Sequence, residues 1–238
     1  MKGIPFIAED NAKTLYDFII KNKCKNILEL GIAYGTSSAY IAAALDELGE
    51  GELTCVDLEE VRDKYDPSAE NLLAELGFSN FTTIERMKSG YNWFLHDKIK
   101  ASSINSEQKC QPIYDLIIID GPKNWTIDSS SFFLCDKLLK QEGWILWDDY
   151  NWSYKDAGEE VTDGITKRSL SLDEQSVPHI KEIFHLLVMQ HENYGNFIIQ
   201  EDSGWAWAQT NADTKKVRYT STRSIQSLLV GALKKLFR

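Results

Sequence analysis

The stretch ILELGIAYGTS, residues 27–37, determines the fold of this chain. An apolar run ends in two glycines, Gly31 and Gly35, and residues with hydroxyl side chains follow. This order predicts a buried strand, a tight turn and the beginning of a helix. Glycine lets the backbone turn sharply and approach a ligand, and the first N–H groups of a helix have no partner within it. The stretch is therefore the expected first β–α turn of an α/β fold and a candidate ligand site.

Helix and strand patterns alternate on both sides of this turn. The predicted helices cover residues 10–22, 36–48, 67–77, 91–100 and 128–140, and the predicted strands cover 26–30, 52–57, 81–85, 114–120 and 143–148. That order predicts a parallel sheet covered by helices on both faces. After a helix over 178–190, two further strands, 196–200 and 205–209, predict a hairpin. We therefore expect an α/β fold with a Rossmann-like, doubly wound, mostly parallel seven-stranded sheet and a C-terminal antiparallel hairpin.

Charge is unevenly distributed along the chain. The formal net charge is −10, yet residues 215–238 hold seven basic side chains and no acidic one. The acidic body argues against nucleic-acid binding. An apolar stripe over 224–238 predicts an amphipathic helix that either lies on an anionic membrane surface or docks on this subunit or a partner. We expect one domain over 1–210, followed by a basic linker and this helix over 211–238.

No segment of the sequence predicts export or a membrane span. The N-terminal segment MKGIPFIAEDNAKT has no basic region followed by an apolar core, and no apolar run approaches the roughly 20 residues that a span requires. The four cysteines are scattered without a CxxC pair, which is typical of reduced thiols. We therefore expect a cytoplasmic protein, with membrane contact limited to the C-terminal helix.

An acidic residue follows the next predicted strand in the position that ribose binding requires. Asp57 lies 22 residues after Gly35, where a carboxylate can accept both hydroxyls of a ribose. The alternative is a tight β–α turn beside an unrelated surface acid. The GxxxG spacing differs from the GxGxxG fingerprint of dinucleotide sites. The pattern therefore favours a nucleoside ligand that is not a dinucleotide.

The segment Glu29-Leu30-Gly31 resembles motif I of the class I S-adenosylmethionine-dependent methyltransferases. The resemblance extends over residues 10–209 in the order of the elements. It implies S-adenosylmethionine in the site, with Asp57 at the ribose, Glu29 near the methionine moiety and Ser89 near the adenine. The cofactor-binding set that we expect is Glu29, Gly31, Ala33, Gly35, Thr36, Ser37, Asp57, Ser89 and Asp120.

Two neighbouring predicted strands end on carboxylates, the first on Asp120 and the second on Asp148 and Asp149. The carboxyl ends of parallel strands form the ligand crevice of an open sheet, so these three side chains should converge there. Like charges that are buried together need compensation, and Mg²⁺ prefers oxygen ligands. The absence of a His or Cys cluster at these strand ends argues against zinc. We predict a magnesium site, the alternative being capping carboxylates without a metal.

The acidic strand ends resemble those of metal-dependent O-methyltransferases of the catechol O-methyltransferase type and of the sugar-modifying macrocin O-methyltransferases. In the catechol type a lysine follows the first Asp by three residues, as Lys123 follows Asp120 here. The resemblance implies Asp120 and Lys123 as catalytic residues, with Lys123 taking the acceptor proton or holding the alkoxide. The later pair is Asp-Asn in the catechol type and Asp148-Asp149 here. Gly121-Pro122 replaces bulkier residues, so a flat catechol pocket is not expected.

Two tryptophans follow the acidic strand ends. Trp125 and Trp152 are predicted to line the acceptor site, because aromatic rings stack on sugar faces. Packing in the core or at its rim is the alternative for each of them.

The leading hypothesis is an S-adenosylmethionine-dependent O-methyltransferase that acts on a hydroxyl of a sugar or small natural product with assistance from Mg²⁺. One alternative is a metal-free methyltransferase that uses Lys123 or an Asp as the base. Another is a nucleotide-binding or oligomerisation module without catalysis. The expected partners are a small-molecule hydroxyl acceptor and, in a homo-oligomer, a second copy of the chain.

Overall fold

The computed structural model describes residues 7–157, 169–211 and 214–223. The helices are α1 (Glu9–Asn22), α2 (Thr36–Leu48), α3 (Ala69–Glu75), α4 (Tyr91–Ala101), α5 (Trp125–Asp136), α6 (Leu172–Ser176) and α7 (His179–Ile183). The strands are β1 (Asn26–Leu30), β2 (Glu52–Leu58), β3 (Thr82–Met87), β4 (Ser103–Ile104), β5 (Lys109–Cys110), β6 (Tyr114–Ile119), β7 (Leu139–Trp147), β8 (Tyr194–Gln200), β9 (Trp205–Thr210) and β10 (Val217–Tyr219).

Eight of the strands form one sheet in the order β10-β8-β9-β7-β6-β1-β2-β3. From β3 to β7 the neighbours are parallel, whereas β9 runs antiparallel to both β7 and β8. One hydrophobic cluster packs α4, α5 and α7 on the sheet, and a second packs α1 and α2 on it. The predicted Rossmann-like fold with a C-terminal antiparallel hairpin is therefore confirmed. The sheet has an eighth strand because β10 pairs in parallel with β8.

Apart from α7, whose α-helical part ends at Ile183 and continues as a π-helix over Phe184–Val188, the element boundaries differ from the prediction mainly around α5 and β7. The helix begins at Trp125 rather than at 128, because the side chain of Asn124 accepts two backbone N–H groups and caps the first turn. The strand begins at Leu139 rather than at 143, because Leu139 pairs with Tyr114 of the neighbouring strand. Both differences in the starting residue arise from contacts that cannot be predicted from the periodicity of the sequence.

Part of the segment predicted as a basic linker belongs to the sheet, since Val217–Tyr219 forms β10. The predicted C-terminal helix over 224–238 lies outside the described residues. The division into a domain over 1–210 and an extension over 211–238 therefore stays a prediction. Among the described residues, no helix combines the length and the apolar character that a membrane span requires.

The pairing register places the carboxyl ends of three adjacent strands side by side. Ile119 of β6 pairs with Leu30 of β1 on one side and with Trp147 of β7 on the other. All three side chains are buried, so the strands leave the core at the same level. The residues that follow them meet at one edge of the sheet: Gly31, Asp120 and Asp148.

Gly31 approaches Asp120 at this edge more closely than any side chain would permit. Its φ is +89°, and a Cβ atom there would lie 2.1 Å from the carbonyl oxygen of Asp120. The N–H of Asp120 donates to the carbonyl oxygen of Leu30 at 2.8 Å and holds the two strand ends together. The first β–α turn is therefore in direct contact with the end of β6.

Gly31→Ala is expected to destabilise the protein by about 3 kcal/mol, because it combines left-handed strain with a backbone clash. Gly49→Ala is the matched control. Gly49 also has a positive φ, +73°, but a Cβ there would meet no atom within 4 Å. This variant should lose about 1 kcal/mol, from strain alone. Urea unfolding measures the free energy of unfolding of both variants. Equal losses of stability would show that the close contact between Gly31 and Asp120 does not add to the cost of a side chain.

Candidate active site

A cavity of about 970 Å³ lies at the edge of the sheet where β1, β2, β6 and β7 end. This is near the upper end of the roughly 300–1,000 Å³ typical of ligand clefts, so two small ligands fit together. Its lining includes most of the predicted cofactor residues: Glu29, Gly31, Ala33, Thr36, Ser37, Asp57 and Ser89. It also includes all of the predicted metal and catalytic residues: Asp120, Lys123, Asp148 and Asp149. The structure thus brings both predicted sets into one space.

Gly35 belongs to the turn but is not among the residues that line the cavity. Its φ is +76°, and a Cβ there would lie 2.9 Å from the Cβ of Ala69 at the start of α3. Its N–H donates to the carbonyl oxygen of Ile32 at 2.6 Å. Gly35 therefore shapes the turn and allows α3 to pack against it.

Asp57 holds the glycine turn from the end of β2. Its Oδ2 accepts hydrogen bonds from the N–H groups of Ile32 and Ala33, both at 3.0 Å, and its Oδ1 accepts one from Leu58 at 2.7 Å. A carboxylate offers about four acceptor positions. Among the described residues these three bonds leave one position on Oδ1, so Asp57 can accept one ribose hydroxyl without releasing the turn. The prediction that it holds both hydroxyls would require the turn to give up a bond.

Glu29 is a buried acid beneath the turn. Its two carboxylate oxygens accept hydrogen bonds from the hydroxyls of Ser37 and Ser38, both at 2.5 Å. Burial raises the pKa of Glu29 to about 7, although the two serine hydroxyls oppose the shift. The side chain therefore orients the first turn of α2, and its charge changes near neutral pH. Ser38 was not predicted, although it stands directly after the predicted Ser37.

Lys123 joins the carboxylates at the ends of β6 and β7. Its Nζ lies 2.7 Å from Oδ1 of Asp120 and 3.2 Å from Oδ2 of Asp149. One oxygen from each of Asp120, Asp148 and Asp149 lies within 4.8 Å of the others. Both Lys123 and Asp149 have positive φ angles, 56° and 54°. Residues other than glycine rarely adopt this conformation, and such strain is concentrated at functional sites.

Burial and mutual repulsion control the ionisation of this cluster. Burial raises the pKa of Asp148 well above its ordinary value, and the charges of Asp120 and Asp149 add to the effect. Burial also raises the pKa of Asp120, while Lys123 opposes the shift. Burial alone would lower the pKa of Lys123, but the neighbouring carboxylates outweigh it and raise that pKa. Lys123 is therefore an ammonium at neutral pH in this structure, whereas a base needs a depressed pKa.

The cluster has the composition and charge that suit a hard divalent cation. Three carboxylates and one ammonium sum to −2 when all are ionised. Octahedral Mg²⁺ with bonds of about 2.1 Å sets its ligand oxygens roughly 3–4 Å apart. The oxygens of Asp120, Asp148 and Asp149 already lie within 4.8 Å of one another, so small side-chain movements suffice. These residues could therefore hold Mg²⁺.

The two predicted acceptor residues lie outside the lining of the cavity. Trp125 begins α5 and is 38% exposed. Trp152 packs edge to face on Tyr154, with ring centroids 5.0 Å apart. Their contact with an acceptor stays a prediction.

Several lining residues were not predicted from the sequence. They come from α1, the segment after β2, the start of α4 and the β8–β9 hairpin: Asn11, Leu15, Glu60, Tyr65, Tyr91, Asn92, Ser203 and Trp205. Glu60 and Tyr91 stand close to Asp57 and Ser89 in the sequence, and this proximity was an available signal. The residues of α1 and the hairpin carry no such signal, because only the folded chain brings them to the cavity.

A glycine turn, a following acid and a carboxylate cluster lie together at the carboxyl edge of a doubly wound sheet, where α/β proteins of this class bind their ligands. The model of a family described as a methyltransferase domain matches residues 28–150, just over half of the chain. The chain belongs to this methyltransferase-domain family, which confirms the predicted reaction class. A comparison with curated proteins found no match.

Solved methyltransferase structures share the fold. A Staphylococcus aureus protein assigned as a caffeoyl-CoA O-methyltransferase superposes with a TM-score of 0.60 at 23% identity, over 87% of this chain and 86% of that chain. An O-methyltransferase from Bacillus cereus in complex with S-adenosylhomocysteine gives 0.59 at 16% identity, over 86% and 82%. TomG, an O-methyltransferase of tomaymycin synthesis from Streptomyces achromogenes in complex with S-adenosylmethionine, gives 0.58 at 16% identity, over 87% and 82%.

Glu29→Gln is expected to change how stability depends on pH. Burial raises the pKa of Glu29 from its ordinary 4.5 to about 7, so the folded protein binds this proton more tightly than the unfolded chain does. The resulting stabilisation is full below about pH 4.5 and is lost as the pH rises through about 7. The wild type should therefore lose stability relative to the variant over that interval. Urea unfolding measures the difference, and a difference that is constant with pH would contradict the raised pKa.

Proposed function

We propose that the protein is an S-adenosylmethionine-dependent O-methyltransferase that acts on a hydroxyl of a sugar or small natural product with the help of Mg²⁺. One observation carries the proposal: a single cavity contains both the glycine turn with Asp57 and the cluster around Lys123. Methyl transfer to a hydroxyl requires the donor and the acceptor to be held together in line. Membership of the methyltransferase-domain family supports the reaction class.

The cofactor would lie along the glycine turn. Asp57 has one acceptor position for a ribose hydroxyl, and Ser37 in the first turn of α2 suits the carboxylate of the methionine moiety, because a helix N-terminus favours an anion. Ser89 and Tyr91 line the cavity at the start of α4, where the adenine is expected. The similar proteins from Bacillus cereus and Streptomyces achromogenes are described with S-adenosylhomocysteine and S-adenosylmethionine, which supports this choice of ligand.

Asp120, Asp148 and Asp149 would hold the metal. When bound, Mg²⁺ lowers the pKa of a hydroxyl that it contacts. Lys123 keeps its proton in this environment, because the neighbouring carboxylates raise its pKa. Its ammonium would therefore stabilise negative charge on the acceptor oxygen rather than remove the proton.

The acceptor would lie near Asp149, where the β8–β9 hairpin approaches the cluster. Ser203 and Trp205 line the cavity from that hairpin, and Asn11 lines it from α1. An aromatic ring beside polar groups suits a sugar or a polycyclic natural product. The role of TomG in tomaymycin synthesis supports a natural product. Trp125 and Trp152 would contact parts of the acceptor that extend beyond the cavity.

The proposal extends to location and assembly. The catalytic domain covers 1–210 together with β10 and works in the cytoplasm. The basic segment that follows β10 would contact an anionic membrane surface or a second copy of the chain. The excess of basic residues over 215–238 supports both forms of contact.

Calorimetry with S-adenosylhomocysteine and with NAD tests the cofactor assignment. S-adenosylhomocysteine should bind and NAD should not. Asp57→Asn should weaken binding at least roughly ten-fold, because charge-assisted hydrogen bonds contribute about 1.5–3 kcal/mol. Glu59→Gln is the matched control, since this neighbouring acid is exposed. Absence of binding by the wild type would refute the proposal, and binding of NAD would indicate a dehydrogenase instead.

Metal titration of two adjacent isosteric variants tests the magnesium site. Asp148→Asn should weaken Mg²⁺ binding at least roughly ten-fold, the lower bound for loss of a group that supports a metal. Asp149→Asn should have a smaller effect, because Asp149 is 42% exposed and is already paired with Lys123. EDTA should abolish methyl transfer and added Mg²⁺ should restore it.

Activity that survives EDTA would favour the metal-free alternative. In that case Asp148 is a better proton acceptor than Lys123, because burial raises the pKa of Asp148 whereas Lys123 is held as an ammonium. The variant Asp148→Asn would then lose activity without any change in metal binding.

A further inference from the structure

We infer that Tyr154 and Asp128 are positioning residues that hold the ammonium of Lys123 between Asp120 and Asp149. They do so by clamping residues 121–124, the turn that carries Lys123 from β6 to α5. This inference rests on the proposed function, since it concerns the same site.

The turn needs a clamp because its backbone is strained. Lys123 has a φ of +56°, in the left-handed region, where an L-residue with a side chain loses roughly 1–2 kcal/mol relative to its preferred conformation. Such a conformation persists only when the surrounding structure imposes it. The groups that bond to the backbone on either side of Lys123 therefore determine where its side chain points.

Tyr154 holds the turn on the N-terminal side of Lys123. Its hydroxyl donates to the carbonyl oxygen of Pro122 at 2.8 Å. The side chain is buried, with 1% exposure, so the bond is shielded from water. Tyr154 lies on the segment that follows β7, after Asp148 and Asp149. The segment after Asp149 thus contacts the turn that carries Lys123, through the hydrogen bond of Tyr154.

Asp128 holds the turn on the C-terminal side. Its Oδ2 accepts a hydrogen bond from the N–H of Asn124 at 2.6 Å, and its Oδ1 accepts one from the hydroxyl of Tyr91. Asp128 is fully buried. The ring of Tyr91 also occupies the space beside Gly121, where a Cβ would lie 2.0 Å from the tyrosine oxygen. Both ends of the turn are therefore fixed by buried side chains, one from the segment after β7 and one from the first turns of α5 with the support of Tyr91.

The clamp has a direct consequence for the site. With Pro122 and Asn124 both held, the Nζ of Lys123 lies 2.7 Å from Asp120 and 3.2 Å from Asp149. Loss of either support would let Lys123 relax towards the extended region, and its ammonium would leave the carboxylates. A purely structural role for Tyr154 and Asp128 would instead lower stability without changing the environment of Lys123.

Competitive acetylation followed by peptide mass spectrometry measures that environment without methyl transfer. In the wild type the Lys123 side chain is 20% exposed and paired, so it should react slowly. Tyr154→Phe and Asp128→Asn should each raise its rate at least about three-fold, the effect of one lost buried hydrogen bond on local opening. Tyr114→Phe is the matched control, because it removes a buried tyrosine hydroxyl at the opposite end of β6. If Asp128→Asn does not fold, Tyr154→Phe alone decides.

An unchanged Lys123 rate in Tyr154→Phe, with a loss of stability like that of Tyr114→Phe, would overturn the inference. Kinetics add a second readout. Tyr154→Phe should lower kcat roughly ten- to a hundred-fold through misplacement of the ammonium, with little change in the KM for S-adenosylmethionine. In a Lys123→Met background it should have no further effect, whereas additive losses would contradict a role through Lys123. A wild type without methyl transfer would refute the proposed function, and the acetylation result would still decide the positioning role.

Discussion

The contact between Gly31 and the carbonyl oxygen of Asp120 is the constraint on which the rest of the site depends. A side chain at Gly31 would meet that oxygen at 2.1 Å, so the first turn and the end of β6 can adjoin only through glycine. Because the two strand ends adjoin, Asp57 can hold the turn while Asp120 faces the same cavity. A methyl donor and an acceptor hydroxyl can then share one space, which in-line transfer requires. The proposed chemistry therefore depends both on the register of the strands and on glycine at position 31.

The buried acids of the cavity have two different kinds of surroundings. Glu29 has two serine hydroxyls and no cation within bonding distance among its described contacts, and burial raises its pKa to about 7. The cluster at the other strand ends instead includes the ammonium of Lys123. The first arrangement orients a helix start without a fixed charge. The second keeps an excess of negative charge that a divalent cation would neutralise, so only the second is suited to metal chemistry.

The sequence predicts best those features that depend on local periodicity. The bounds of β1 and α2 agree with the prediction, because apolar runs and glycines mark both elements. The start of α5 was missed because the cap at Asn124 decides it, and β10 was missed because three residues show no clear period. Asp57 was identified, but not its bonds to the turn, which arise from backbone geometry. Tyr154 carries no motif and reaches the turn of Lys123 only through tertiary packing.

The left-handed conformations of Lys123 and Asp149 have an evolutionary consequence. Glycine adopts this region more readily than lysine or aspartate, so a mutation to glycine at either position can raise stability while removing a charged group from the cavity. Selection for thermal resistance alone would then erode the cluster before it damaged the core. These two positions are where the demands of folding and of the proposed chemistry on this chain conflict.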